Sequence, residues 1–264
     1  MSFIDYLYKN SDTIILGIIA STLTIMLQIA VQTVSNFITY FITLRWYLRR
    51  LFSFADKDDI YIVSGSIDDE TTSGIALLRG PDASAAANLH RTLEDIYNDS
   101  KIKHMYSTNN QSIYIDENIV SVGGPVHNSC TKDLMKHMKS LVYFDENDAL
   151  HVNSHIYTKS VDDEIDYGLI IRAKNPFATT KKALIIAGCG SHGVLAASML
   201  FNKTKKFKEI QKDFEKNFGF TNHILNKDFI AVVRCNMIGN DISAITFIKV
   251  IKLMNDSQKN IKEE

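Results

Sequence analysis

From Thr13 to Leu44 the chain reads TIILGIIASTLTIMLQIAVQTVSNFITYFITL, a run without a charged side chain. At 1.5 Å per residue a helix of about 32 residues is about 48 Å long, against a hydrocarbon layer of about 30 Å. The run therefore predicts one transmembrane helix over residues 13–44, with turns to spare. A signal-peptide core is shorter, follows basic residues and ends at small ones. Here the front is MSFIDYLYKNSD and the back is RWYLRR. Asp5, Lys9 and Asp12 precede the run, whereas Arg45, Arg49 and Arg50 follow it, with Trp46 and Tyr47 at interfacial positions. The positive-inside rule then puts residues 1–12 outside and the C-terminal bulk in the cytoplasm. The expected location is the inner (cytoplasmic) membrane, crossed once, with the lipid bilayer as first partner.

Inside the span, Ser21, Thr24, Gln28, Gln32, Ser35, Thr39 and Thr43 recur at steps of three or four, which places them on one helical face. Amides facing lipid leave hydrogen bonds unmet, so Gln28, Gln32 and Asn36 call for other helices or water. Two readings stay open: a packing seam in which Gln and Ser bond across helices, and a pore-lining stripe in a ring of helices. Both require a homo-oligomer.

The rest divides into a basic juxtamembrane linker over 45–59, a domain over 60–255 and a polar tail over 256–264. With 29 basic and 30 acidic residues the net charge is -1, and bulk phosphate binding normally shows as a basic excess. Nucleic acid is therefore not expected as a partner. Cys130, Cys189 and Cys235 have no paired spacing, in keeping with a reduced compartment and with neither a metal site nor a cofactor.

Over 60–255, apolar strands alternate with helical patterns. Strands are expected at Ile60–Ser64, Ile119–Val122, Tyr167–Ala173, Ala183–Ala187, Phe229–Cys235 and Ile245–Leu253. Helices are expected at Ala83–Tyr97 with Asp82 as N-cap, at Asn128–Met138, at Val194–Phe201 and at Lys205–Phe218. Residues 141–160 read as a pair of short strands around the turn DEND, and KIKHMYSTNNQ as a polar connection. Strands apolar on both faces imply an open sheet covered by helices on both sides. The fold class is α/β: one N-terminal transmembrane helix followed by a Rossmann-like, mostly parallel sheet.

Three strands run into glycine turns that open helices: Ser64-Gly65-Ser66, Gly123-Gly124-Pro125-Val126-His127-Asn128 and Gly188-Cys189-Gly190-Ser191-His192-Gly193. In a parallel sheet such turns share the carboxyl edge, where doubly wound proteins bind ligands. Glycine lets a backbone approach a phosphate, and a helix N-terminus offers free N–H groups and partial positive charge. Ser64, Ser66, His127, Asn128, Ser191 and His192 add polar side chains, although Asn128 and Ser191 serve equally as helix caps. Thr71, Thr72 and Ser73 stand where a lid or a solvated loop would lie. Neither GxGxxG after the first strand nor GxxxxGK[ST] occurs. A catalytic alternative pairs Cys189, whose thiol a helix start would acidify, with His192. The acidic group Asp162, Asp163, Glu164 and Asp166 reads as a solvated loop. Arg172 and Lys174 read as ligand-facing or surface charges.

With IVSGS and AGCGSHG at strand ends and one span in front, the chain resembles membrane effectors of prokaryotic nucleotide-signalled immunity, in which a CARF-type or SLOG-type sensor is joined to transmembrane helices. It carries GGPVHN and no PGGxGT. The resemblance implies a signalling nucleotide, cyclic oligonucleotide or NAD-derived, bound at the carboxyl edge. It also implies permeabilisation of the membrane by self-associated spans. A membrane-anchored hydrolase or nucleotide-cleaving enzyme using Cys189 and His192 is the alternative.

Overall fold

A computed structural model describes residues 11–66, 78–107, 116–202, 207–218 and 227–253. The chain forms two compact units, Met1–Tyr47 and Leu48–Glu264. The acidic loop carrying Thr71, Thr72 and Ser73, residues 1–10 and the polar tail lie outside the described residues.

Helix α1 spans Ser11–Phe52. Its segment Ile15–Ser35 has a mean hydropathy of 1.9 and none of it is buried, so α1 is long and apolar enough to cross a membrane. Several hydroxyls of this segment are satisfied within the helix: Ser21 Oγ donates to Gly17 O and Thr24 Oγ1 to Ala20 O, both at 2.8 Å. Thr22 and Thr33 do likewise. Hydroxyls bonded to the preceding turn lose little in lipid. Gln28 and Gln32 are exposed and make no such bond among the described residues.

The helix does not stop at Leu44. Residues expected as a linker continue it to Phe52, because RWYLRRLF interleaves arginines with apolar residues at helical spacing. Leu48, Leu51 and Phe52 are fully buried in the second unit. Phe52 meets Phe201 with ring centroids 4.9 Å apart and Tyr97 edge-on at 6.4 Å. Ser53, at φ 60, ends the helix and donates its N–H to Arg49 O at 2.8 Å.

The second unit is Rossmann-like. Its strands are β1 (Ile60–Ser64), β2 (Ile102–Tyr106), β3 (Asn118–Val122), β4 (Val142–Phe144), β5 (Leu150–Val152), β6 (His155–Tyr157), β7 (Ile165–Lys174), β8 (Lys182–Gly188), β9 (Phe229–Ile238) and β10 (Asp241–Lys252). Its helices are α2 (Gly80–Ile96), α3 (Ser129–Lys136), α4 (Ser191–Ser198) and α5 (Phe207–Phe218). Seven strands form one sheet in the order β10-β9-β7-β8-β3-β1-β2. β2, β1, β3 and β8 pair parallel, whereas β7 runs against β8, β9 against β7 and β10 against β9. Hence β9 points with the parallel group, and only β7 and β10 oppose it.

Strand residues alternate between two buried faces, as a sheet covered on both sides requires. One face packs Val63, Ile119, Ile185 and Ile171 with Leu134 of α3 and with Val142, Leu150 and Val152 of the β4-β5-β6 meander. α2 and α4 pack against each other and against the sheet through buried Ala86, Leu89, Leu93, Val194 and Ala197. α4 crosses β7 at a bare backbone contact: a Cβ on Gly168 would overlap the Gly193 carbonyl oxygen, and one on Gly193 would overlap the Tyr167 carbonyl.

Several expectations need correction. The segment containing IKHMY is strand β2, which carries Lys103 and His104 and is only partly buried because it lies at the sheet's edge. Residues 141–160 hold three strands rather than two. α2 starts at Gly80 with Pro81 in its first turn, so Asp82 lies inside that turn and does not cap.

Arg172 is neither ligand-facing nor on the surface. Fully buried on β7, it donates from Nη1 to the carbonyls of Arg50 and Leu51, both at 2.7 Å, and from Nη2 to Lys227 O. A guanidinium on the last carbonyls of α1 complements that end of the helix. Its guanidinium also stacks over Phe229, with Cζ 4.9 Å from the ring centroid. Asp228 accepts from Lys182 Nζ at 2.7 Å and balances Arg172 from 3.9 Å. Lys174, at the same amino edge, is exposed.

Candidate functional site at the carboxyl edge of the sheet

Because β1, β3 and β8 are adjacent and parallel, their three glycine turns are neighbours on one edge. The chain leaves β1 through α2 to β2 on one side, then returns to β3 on the other. That reversal puts a topological switch point between β1 and β3, flanked by Ser64–Ser66 and Gly123–Asn128.

The turns are tied to one another by their backbones. Gly65 N donates to Val122 O at 3.0 Å, Ser66 N to His127 O at 3.0 Å and Gly123 N to Ile186 O at 2.9 Å. A Cβ on Gly65 would stand 2.7 Å from His127 O, so this glycine is required by close approach of two turns. Gly123 sits at φ +113, which other residues rarely adopt. Gly124 faces Gly188 O at ordinary contact distance, and a Cβ on Gly188 or Gly190 would meet Gly190 O or Asp166 Oδ2. The glycines thus interlock the turns before any ligand arrives.

The polar side chains divide in the same way. Asn128 is fully buried and caps α3: its Oδ1 accepts from Thr131 N at 3.1 Å, while its Nδ2 donates to Val63 O at 3.0 Å and Val122 O at 2.9 Å. Of its two expected roles, Asn128 performs the structural one. Ser107, just past β2, completes the cap by accepting from Ser129 N at 2.7 Å. Ser64 is buried against His104, Oγ to Nε2 2.8 Å, and burial lowers that imidazole's pKa, as does neighbouring His90. Ser66 Oγ donates to Ser107 O at 3.2 Å. His127 remains at the rim, its Nε2 3.0 Å from Arg79 Nη2.

At α4 the N-cap position is Gly190, and the capping side chain comes from elsewhere. Asp166, expected in a solvated loop, is fully buried. Its Oδ2 accepts from Gly193 N at 2.8 Å and its Oδ1 from Tyr167 N at 2.8 Å. The partial positive charge at the start of α4 is therefore met by the protein's own carboxylate. Burial pushes the Asp166 carboxyl upward despite these N–H bonds and the pull of Lys159. Asp82, in the first turn of α2, is its electrostatic neighbour. Burial first, and then Asp166, raise Asp82 to about 6 against the opposing effect of Arg79, and its buried Oδ1 has no hydrogen-bond partner among the described residues.

Cys189 and His192 do not combine. The Cys189 thiol donates to Tyr157 O at 3.4 Å, and His192 Nε2 contacts Asn240 O at 3.2 Å. Burial pushes the thiol up to about 12, opposite to the lowering expected from a helix start, because the desolvation of a thiolate outweighs the dipole.

The residues that sequence reasoning missed here are Arg79, Ser107 and Asp166. Ser107 carried a usable signal, since it ends a fourth strand at the same edge. Asp166 directly precedes YGLIIRA, where an acid at a strand's start faces the helix termini opposite. A scan against protein-family models finds no match to this chain, and neither does a search of curated proteins.

Proposed function

We propose that this protein is a nucleotide-signal-responsive membrane effector of antiviral defence. In this reading α1 crosses the inner membrane once, with residues 1–12 outside and the Rossmann-like domain in the cytoplasm. Several copies associate through Gln28 and Gln32, and a cyclic oligonucleotide or NAD-derived signal at the domain's carboxyl edge reorganises the spans until the membrane leaks. The observation that carries the reading is the union, in one chain, of a helix long and apolar enough to span with a Rossmann-like sheet whose three glycine turns are neighbours on the edge that holds a switch point.

Two details support it. The hydroxyls at Ser21 and Thr24 are satisfied by their own helix, which leaves the Gln28 and Gln32 amides as the groups that need a neighbouring span. The Cys189 thiol, pushed up by burial and bonded to the Tyr157 carbonyl, favours this reading over the hydrolase alternative. A full switch requires the signal to bind the open assembly about 10⁴-fold more tightly than the closed one.

The test is dye release from liposomes carrying the full chain, challenged with a panel of nucleotide signals. At least one should open the vesicles, and replacing Gln28 and Gln32 by Leu should close them again without changing how much protein inserts. Vesicles that stay sealed under every signal would overturn the reading.

A further inference from the structure

A groove of the domain lies beside the interlocked turns. It begins at Val126 of the β3 turn and runs between α3 and the β4–β5 hairpin, with a volume of about 930 Å³, within the range of small-molecule sites. We propose that this groove binds a phosphorylated ligand carrying a planar ring, with its phosphates on Lys132 of α3 and Lys139 in the turn that follows it, and its ring on Tyr143. The inference deepens the nucleotide reading and rests on it for the choice of a nucleotide.

One wall supplies positive charge. Lys132, Lys136 and Lys139 line it at steps of four and three residues. Lys136 is occupied by Asp133 at 2.7 Å, whereas Lys132 and Lys139 have no acidic partner among the described residues. Two such ammonium groups on one wall, Lys132 on α3 and Lys139 in the turn that follows it, suit a chain of phosphates better than a single one.

The opposite wall supplies a ring already held in place. Tyr143 lines the groove and is 38% exposed, and one face of its ring is covered by His151, with centroids 4.5 Å apart and planes 9° from parallel. His151 is fastened by Asp145, Nε2 to Oδ2 2.8 Å, and Asp145 in turn accepts from Asn147 N and Ala149 N. A base laid on the uncovered face of Tyr143 would extend a stack whose geometry is set before binding, so little freedom is lost. Asn147, at the hairpin tip, lines the groove beside Asp145 and Glu146, and its amide can both donate and accept.

The test is calorimetric titration of the detergent-solubilised full chain with inorganic pyrophosphate, which probes charge alone, and with adenosine diphosphate, which adds a ring. Both should bind, the nucleotide about ten-fold more tightly, since one base–aromatic stack contributes about 1–3 kcal/mol. Joint Lys132→Glu and Lys139→Glu should weaken both probes about ten-fold or more, with the unliganded melting temperature unchanged because both side chains are exposed. Tyr143→Ala should erase the nucleotide's advantage and leave pyrophosphate unaffected. Failure of both probes to bind, or undiminished binding by the lysine variant, overturns the proposal. So does loss of nucleotide binding on Arg79→Ala with the lysine variant intact, which would return the site to the turn rim. If the groove binds as described while liposomes stay sealed, the groove stands and the effector reading falls.

Discussion

Two short helices, α3 and α4, open at the same edge of the same sheet, each behind a glycine turn, and they satisfy their first N–H groups by opposite means. α3 uses neutral groups, Asn128 and Ser107. α4 uses a buried carboxylate, Asp166, delivered from the start of an antiparallel strand. The contrast shows that a strand, a glycine turn and a helix do not by themselves leave an anion site vacant. Here the positive end of each helix is answered from within, by a dipole in one case and a charge in the other. The charged solution has a side effect that the neutral one lacks: Asp166 adds to the rise of the Asp82 carboxyl that burial causes first.

The comparison is broken most directly by Asp166→Ala. Two buried N–H groups, Gly193 and Tyr167, lose their acceptor, and stability should fall by about 3–4 kcal/mol as read by denaturant melts of the full chain in detergent. The folded carboxyl sits above its unfolded value, so its protonated form is favoured by folding. The loss should therefore be largest at low pH and shrink as pH rises through that raised value. A loss that grows with pH would show that the N–H bonds and Lys159 outweigh burial at this carboxyl.

Asn128→Ala should cost about 2–3 kcal/mol, since it removes one cap and leaves the Val63 and Val122 carbonyls short of a donor. That cost should be flat between pH 5 and pH 8 on the same melts. Next in size is Asp82→Asn, which should stabilise by about 2 kcal/mol above pH 7, after discounting for the part of the carboxyl that water reaches. With a folded value near 6 and an unfolded value of 3.8, the penalty of the ionised form grows between those values, so the gain should fade to nothing below about pH 4. A constant gain across that window would disprove that burial, with Asp166 adding to it, raises the Asp82 carboxyl. Ser107→Ala, the smallest change, should cost about 1 kcal/mol, because Asn128 continues to cap α3 without it.

Much of this edge was legible in the chain. β1, β3 and β8 read as strands because each is apolar on both faces and runs into a glycine turn, and Asn128 read equally as a cap and as a ligand-binding residue, because a short amide before a helical pattern suits both. Burial of charge was not legible. Asp166 stands in the acidic stretch DDEID and Arg172 inside the strand YGLIIRA; nothing local distinguishes a solvated charge from one whose partners are 27 residues away at Gly193 or 121 away at Leu51. The same limit applied to Cys189, whose thiol is set by how deeply the meander covers it and not by its place at a helix start. The end of α1 was hidden for another reason. Its last turns alternate arginine with Leu and Phe, and only the presence of a core to receive Leu48, Leu51 and Phe52 makes helix the better choice there.

The crossing of α4 over β7 also has an evolutionary consequence. Gly168 and Gly193 each exclude a Cβ because of backbone belonging to the other's neighbourhood, so neither position can drift alone, and replacing one does not make room for replacing the other. A lineage that lost either glycine would have to lift α4 from the sheet and give up the Asp166 cap in the same step. Descendants of this fold should therefore keep the two glycines as a linked pair, even where the glycines of the turns have been exchanged, and that pair is a marker by which distant relatives of this chain can be sought.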